Sequence, residues 1–186
     1  MLRLRAKFGL IILCGLATII GTTSLAQDRL SPRLQIGINL LPAIVAANTS
    51  LARSDTRQTL PVYLVYREDR YQAEQIEPGI IQIEKIRKRS LEVIVISLDE
   101  LLASEPQSLA VIFITEPMDQ RLTDLIQFAQ QQRALLFSPF EGDVEHGVSA
   151  GFQVTDKVLP LVNMASLKKS KIQLKAFFLR IAVKHE

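Results

Sequence analysis

Short apolar runs separated by segments of helical spacing constrain the fold of this 186-residue chain more than any other feature. Four such runs lie between residues 60 and 138, and they read LPVYLVY, EVIVIS, LAVIFIT and ALLFS. Because each run is apolar at consecutive positions, both faces of the strand that it forms must be covered. Runs of this kind that alternate with helices are typical of parallel strands joined by crossover helices. The sequence therefore predicts an α/β fold with a mostly parallel central sheet.

The segments around these runs predict the helices. A first helix should begin at Pro32, because a serine N-cap such as Ser31 followed by proline at the first helical position is a frequent helix start. Pro42 is expected to kink this helix or to end it early, since proline lacks the amide hydrogen and clashes with the preceding turn. Further helices are predicted at residues 70–77 and 98–103 and from residue 117 onward.

The last third of the chain predicts a different arrangement. Residues 147–155 and 158–163 are expected to form a β-hairpin, because two apolar segments flank the polar turn Thr155-Asp156-Lys157. A short helix is predicted at residues 164–169, and a closing helix with one apolar face follows it. The apolar face of the closing helix consists of Leu174, Phe177, Phe178, Ile181 and Ala182.

The first 26 residues have the three parts of a cleavable signal peptide. Arg3, Arg5 and Lys7 precede the apolar stretch 8–20, and Ser24-Leu25-Ala26 supplies small residues for the peptidase. The apolar stretch is shorter than the roughly 20 residues that span a bilayer, so no stable membrane anchor is expected after cleavage. Attachment of a lipid at Cys14 is disfavoured, because Leu13 precedes it where a small residue is expected. We therefore expect residues 27–186 to be exported from the cytoplasm.

Cleavage changes the charge and the cysteine content of the chain. The whole chain has a net charge of +3, and the three cationic residues of the leader account for all of it. Residues 27–186 therefore carry as many basic as acidic side chains. Such a neutral domain has no electrostatic footprint for nucleic acid. The single cysteine also leaves with the leader, which excludes a disulfide. About 160 residues suffice for one core, and no linker divides them, so a single-domain sandwich is predicted.

The residues after the predicted strands give no sign of a nucleotide or catalytic site. The strand-to-helix junctions read Arg67-Glu68-Asp69, Leu98-Asp99-Glu100 and Glu116-Pro117, which place carboxylates where a phosphate site needs a glycine-rich backbone. No serine or histidine lies in a recognisable nucleophile motif. We therefore expect neither an enzyme nor a cofactor.

The segment FEGDVEH supplies the candidate partner-binding residues Phe140, Glu141, Asp143 and His146. An exposed Phe140 could anchor a partner protein, since aromatic anchors dominate interface energetics, but folding of this ring back onto the core is the favoured alternative. Alternating carboxylates beside a histidine could also hold a cation. The calcium loop needs more oxygen ligands at a different spacing, however, and no metal site is predicted. The alternative to a binding role is that this segment forms an acidic exposed loop between a buried strand and the hairpin.

A second candidate surface lies at the predicted carboxyl ends of the parallel strands. Asp99, Glu100, Glu116 and Asp119 are all expected at this edge, where open α/β sheets usually bind ligands. Acidic residues in the first turn of a helix also complement the helix dipole, and this explanation requires no ligand. A small-ligand-binding module that takes a cationic or polar molecule is therefore the alternative function.

The C-terminal half has a distinctive order of elements over about residues 90–184. A strand (LAVIFI) and a helix precede a strand with a glycine-containing loop (ALLFSPFEGDVEHGVSAGF). A hairpin strand that ends in Asn163 (LPLVN), a short lysine-rich helix (MASLKKSKI) and a closing helix (LKAFFLRIA) follow. In this order of elements, and in its predicted leader and domain length, the chain resembles the YfiR-like family of small periplasmic proteins of Gram-negative bacteria.

The resemblance implies regulation rather than catalysis. The family's namesake binds the periplasmic sensor region of an inner-membrane diguanylate cyclase and holds it inactive, which restrains cyclic-di-GMP signalling and biofilm formation. A partner of this class is expected here, and self-association into a homodimer stays open. The chain departs from the family in lacking cysteine after the leader, so the disulfides of some members have no counterpart. No binding residue is transferred from the family.

Overall fold

The computed structural model describes residues 30–51, 59–106 and 109–186. The leader predicted at residues 1–26 lies outside these ranges. The helices of the described residues are α1 (Pro32–Ala47), α2 (Arg70–Ile81), α3 (Leu98–Ala103), α4 (Leu122–Gln131), α5 (Met164–Lys169) and α6 (Ala176–Ile181), and a 3-10 turn at Asp119–Arg121 precedes α4. The strands are β1 (Thr59–Tyr66), β2 (Lys85–Ile86), β3 (Arg89–Ser97), β4 (Val111–Ile114), β5 (Leu135–Phe137), β6 (Ala150–Val154), β7 (Val158–Asn163) and β8 (Val183–His185).

The strands of the described residues form one sheet in the order β2-β3-β1-β4-β5-β6-β7-β8. Neighbouring strands from β3 to β6 run parallel, whereas β2 is antiparallel to β3 and β7 is antiparallel to β6. The predicted α/β fold with a mostly parallel sheet and a C-terminal hairpin is therefore confirmed. Within the described ranges, no helix combines the length and the apolar character that crossing a membrane requires.

The core consists of two apolar clusters, one on each face of the sheet. Strand β4 joins them, because its four residues are all buried and point alternately to the two faces. Phe113 packs on the face covered by α1 and α2, where its ring stacks on Phe137 at 5.3 Å between centroids. Ile112 and Ile114 pack on the opposite face beneath α3 and α4. Two-sided burial explains why the strands carry no alternation of polar and apolar residues.

Helix α1 continues through Pro42 to Ala47, so the early end that was one expected outcome is not observed. The turn beyond the proline is held by packing, because Ile44 and Val45 are buried against the sheet. The end of the helix is also fixed by backbone contacts, since the Lys175 N–H donates to the Ala47 carbonyl at 3.0 Å. Tertiary contacts therefore override the local preference of proline.

The C-terminal segment differs in two details from its predicted form. The closing helix α6 spans only Ala176–Ile181, although the apolar pattern extends on both sides. The chain then forms strand β8, which pairs in parallel with β7. Sequence patterning missed β8, because a three-residue edge strand is too short to show a period of two.

The position of Pro42 inside α1 yields a test of the fold. Replacement by Ala should raise the free energy of unfolding by about 1–3 kcal/mol, because proline is disfavoured in a helix interior by about 3 kcal/mol relative to alanine. Urea unfolding of the purified domain measures the change. The matched control is Pro32→Ala at the first helical position, where proline is well tolerated. A Pro42→Ala domain less stable than the unchanged one would contradict this account.

Candidate functional site

The carboxylate of Glu116 fills the edge of the sheet at which α/β proteins commonly hold ligands. Its Oε1 accepts hydrogen bonds from three consecutive backbone N–H groups at the end of β1, those of Arg67 (2.6 Å), Glu68 (2.7 Å) and Asp69 (2.8 Å). The residue is only 8% exposed. Converging backbone amides of this kind bind anions, and here the protein's own carboxylate occupies them.

The other carboxylates at this edge also have partners within the protein. Asp119 pairs with Arg67 at 2.5 Å, and Asp99 pairs with Arg121 at 3.0 Å. Glu100 forms a capping box with Ser97 at the start of α3, and the hydrogen bonds from the Ser97 side chain and backbone lower the pKa of the Glu100 carboxyl. For Glu100 the structure thus agrees with the capping interpretation of the sequence. Glu116, in contrast, binds the backbone N–H groups of residues 67–69, which follow the neighbouring strand β1.

The loop between β5 and β6 contains the four candidate partner-binding residues, but they do not form one cluster. Phe140 is half-buried and packs against both core clusters. Glu141 is exposed and pairs with Arg33 at 3.2 Å between Nη1 and Oε2. His146 is exposed, and its Nδ1 lies 2.7 Å from the Gly142 carbonyl oxygen. Within the part of the chain that the structure describes, no three His, Cys, Asp or Glu residues gather closely enough to hold a metal ion.

Asp143 stabilises the loop from inside. The Ser138 hydroxyl donates to Asp143 Oδ2 at 2.5 Å, and the same hydroxyl oxygen accepts the Phe140 N–H at 3.0 Å. The Asp143 carbonyl accepts the Val148 N–H at 3.0 Å, which closes the loop. Burial raises the pKa of the Asp143 carboxyl, which the hydrogen bond from Ser138 partly offsets. The geometry therefore gives Asp143 a structural part in the loop.

Three further hydrogen bonds hold the same loop against its surroundings. Asn163 Nδ2 donates to the Val144 carbonyl at 2.8 Å, and the Ser166 hydroxyl donates to the Gly147 carbonyl at 2.6 Å. From α1, Arg33 Nε donates to the Pro139 carbonyl at 2.8 Å. The loop is thus tied to three separate elements and has a defined shape.

A cleft of about 250 Å³ lies between this loop and the β6–β7 hairpin, and we call it the loop–hairpin cleft. The Arg33 guanidinium lies over the Phe152 ring at 5.1 Å from its centroid. Phe140 and Glu141 line the cleft, whereas Asp143 and His146 do not. The full lining consists of Arg33, Phe140, Glu141, Gly142, Val144, Glu145, Phe152, Gln153, Val154, Thr155 and Leu161.

The contribution of α1 and of the hairpin to this cleft follows from the tertiary structure and not from any local sequence pattern. Arg33 and Glu141 are separated by 108 residues, and no local pattern joins them. The tip of the hairpin adds two neighbouring apolar side chains, because Val154 and Val158 are paired in register and are 51% and 38% exposed. Valines on both sides of the predicted turn Thr155-Asp156-Lys157 are the signal that the sequence offers for this tip.

A second concavity, of about 570 Å³, opens beside α5. Its lining is mainly apolar, with two lysines at its margin. The lining consists of Thr49, Met164, Leu167, Lys168, Lys171, Ile172, Gln173, Leu174 and Leu179.

The buried carboxylate of Glu116 leads to a stability prediction. Glu116→Gln should lower the free energy of unfolding by about 1–3 kcal/mol, because hydrogen bonds to a charged acceptor are stronger than those to a neutral one. Urea unfolding at neutral pH measures the loss. The control is Glu74→Gln, which breaks an exposed pair with Arg70 and should lower the free energy of unfolding far less, because exposed ion pairs contribute little to stability. Equal losses in the two variants would refute the part assigned to Glu116.

The raised pKa of Asp143 predicts a pH dependence of stability. The folded protein holds this proton more tightly than the unfolded chain, so the contribution of Asp143 falls as the pH rises from below the ordinary carboxyl pKa through the raised folded pKa. Asp143→Asn removes this titration. The difference in unfolding free energy, variant minus unchanged protein, should be more positive at pH 7 than at pH 3. Urea unfolding of both proteins at pH 3 and at pH 7 measures this difference. A difference that is more positive at pH 3 than at pH 7 would contradict the raised pKa of Asp143.

Comparison with known proteins shows a fold but no family. No family model matches the chain, and no curated protein matches it. Among solved structures, the chain is similar to an ABC domain in complex with L-Trp from Streptococcus pneumoniae, with a TM-score of 0.52 and 11% identity. It is also similar to a conserved domain protein from Vibrio cholerae O1 biovar El Tor, with a TM-score of 0.51 and 12% identity. Each match covers 82% of this chain and 60% of the solved chain. At this identity the likeness concerns the fold alone.

Proposed function

We propose that residues 27–186 form a non-enzymatic regulatory protein of the periplasm. In this proposal it binds the periplasmic sensor region of an inner-membrane diguanylate cyclase and represses it, and so restrains cyclic-di-GMP signalling. The resemblance of residues 90–184 to the YfiR-like family names the class of partner. The structural observation that carries the proposal is the firmly held loop between β5 and β6 beside the exposed hairpin tip.

The rigidity of the loop favours protein recognition. Its hydrogen bonds to α1, β7 and α5 order it before any partner arrives. A surface that is ordered in advance loses little conformational entropy on binding, so more of the contact energy contributes to affinity.

The composition of this surface also suits a protein partner. Val154 and Val158 offer an exposed apolar pair at the hairpin tip, and the side chain of Glu141 is 89% exposed nearby in the lining of the cleft. Interfaces commonly combine an apolar centre with a polar rim. The carboxylates at the strand ends, in contrast, are engaged by backbone amides, a serine or arginines, which makes them less available to a cationic ligand.

Small-ligand binding is a second candidate function, and one observation favours it. The solved structure with a TM-score of 0.52 to this chain is described in complex with L-Trp, and the loop–hairpin cleft offers a concave site of amino-acid size. The two functions are compatible, because a regulator can respond to a ligand.

The cellular concentration of cyclic-di-GMP, measured with and without the gene, tests the regulatory function. Deletion of the gene should raise the cellular cyclic-di-GMP concentration several-fold, and the unchanged gene should restore it. A variant with both Val154→Ser and Val158→Ser should fail to restore it, because the apolar pair is lost while the fold is kept. The readout is nucleotide quantification by mass spectrometry.

The matched control is Ile81→Ser, which removes an apolar side chain of similar exposure (53%) from α2, away from the hairpin. This variant should restore the concentration fully. Pull-down of the domain from solubilised membranes should recover a diguanylate cyclase with the unchanged protein and with Ile81→Ser, but not with the double variant. An unaltered cyclic-di-GMP concentration after deletion would contradict the proposal.

A further inference from the structure

We propose that the loop–hairpin cleft binds a small ligand with one carboxylate and one apolar group, and that Arg33 anchors the carboxylate. This inference rests on the second candidate function and names its site and its class of ligand. It assigns ligand binding to the guanidinium of Arg33 and to the apolar lining around Phe152.

The guanidinium of Arg33 is fixed in place by two contacts that leave part of it accessible. Its Nε donates to the Pro139 carbonyl at 2.8 Å, and its Cζ lies over the Phe152 ring, 5.1 Å from the centroid. Among the described residues, Nη2 has no hydrogen-bond partner, and Nη1 bonds only to Glu141. A planar guanidinium held in this manner is suited to two-point recognition of a carboxylate.

Glu141 marks the place that the carboxylate of a ligand would take. Its Oε2 lies 3.2 Å from Arg33 Nη1, but the side chain is almost fully exposed. Exposed ion pairs of this kind contribute little to stability, so a ligand carboxylate can displace Glu141 at small cost. The protein's own carboxylate therefore acts as a weak, replaceable occupant of the arginine.

The rest of the cleft selects the size and the charge of the ligand. Its apolar lining is provided by Phe140, Val144, Phe152 and Leu161, which suits a hydrocarbon group. A volume of about 250 Å³ lies below the roughly 300 Å³ at which pockets for drug-sized molecules begin, so the ligand is small. Glu145 also lines the cleft and disfavours a second negative charge. A monocarboxylate of the size of benzoate or hexanoate meets these conditions.

The placement of α1 supports the same ligand charge. The N-terminal end of this 16-residue helix contributes Arg33 to the cleft, and its first turn contains no acidic residue. The partial positive charge at the start of the helix is therefore not neutralised within that turn, and it adds to the attraction of Arg33 for an anion.

Binding of benzoate and hexanoate to the signal-free domain tests the inference, with neutral benzamide as the matched compound. Ligand-observed NMR titration at neutral pH should give saturable binding of both acids and at least ten-fold weaker binding of benzamide. Arg33→Gln should weaken benzoate binding at least ten-fold, and Arg33→Lys should weaken it less. Glu141→Gln should strengthen it several-fold, because the internal competitor loses its charge.

The control for a general charge effect is Arg70→Gln, which also removes an ion-paired arginine but lies outside the cleft. It should leave the affinity for benzoate unchanged. Thermal unfolding of each variant verifies that the fold is kept, and Arg33→Lys serves as the deciding variant where Arg33→Gln unfolds.

Three outcomes would overturn the inference. These are no saturable binding of either acid, equal affinity for benzoate and benzamide, and affinity that is independent of residue 33. Saturable binding of L-Trp that persists in Arg33→Gln would leave the ligand-binding function standing and remove this site. The regulatory function is judged separately, by the cyclic-di-GMP concentration.

Discussion

Burial of the central strands on both faces is the constraint on which the rest of the structure depends. Strand β4 has no exposed residue, so helices must cover the sheet on both sides. Helices α1 and α2 pack on one face, and α3 and α4 pack on the other. Since crossover helices return the chain to the same end of each parallel strand, the loops that follow the strands gather at one edge of the sheet. That edge holds both Glu116 and the loop between β5 and β6.

The same packing fixes the shape of the loop beside the cleft. A β-carbon on Gly151 would lie 2.6 Å from the Ser138 carbonyl oxygen and 2.9 Å from a methyl group of Val144, so the loop lies directly on the glycine of β6. Gly142 and Gly147 supply the positive φ angles at which the loop turns. Val144 is buried in this contact, while the side chain of Glu141 lies at the surface beside Arg33. Packing on Gly151 thus fixes the loop that presents the surface to which we assign function.

Local patterns predicted the parts of the fold that depend on local physics, and they missed those that depend on distant contacts. The apolar runs around Phe113 and Phe137 predicted the parallel strands, because a strand buried on both faces has no polar alternation. Ser31 and Pro32 predicted the start of α1, whereas the early end that Pro42 allowed is not observed, because tertiary packing holds the last turns of the helix. Of the residues that line the candidate site, the sequence singled out only Phe140 and Glu141, whereas Arg33 and Phe152 join it only through the tertiary structure.

The central claim is that the loop between β5 and β6 is a preformed surface, and amide hydrogen exchange of the domain tests it most directly. The Val148 N–H, which donates to the Asp143 carbonyl, and the Gly147 N–H, which donates to the Val144 carbonyl, are the reporters. We predict that Val148 exchanges nearly as slowly as the core of the sheet and that Gly147 is clearly protected. Exchange of both amides at the rate of an unstructured chain would contradict the claim.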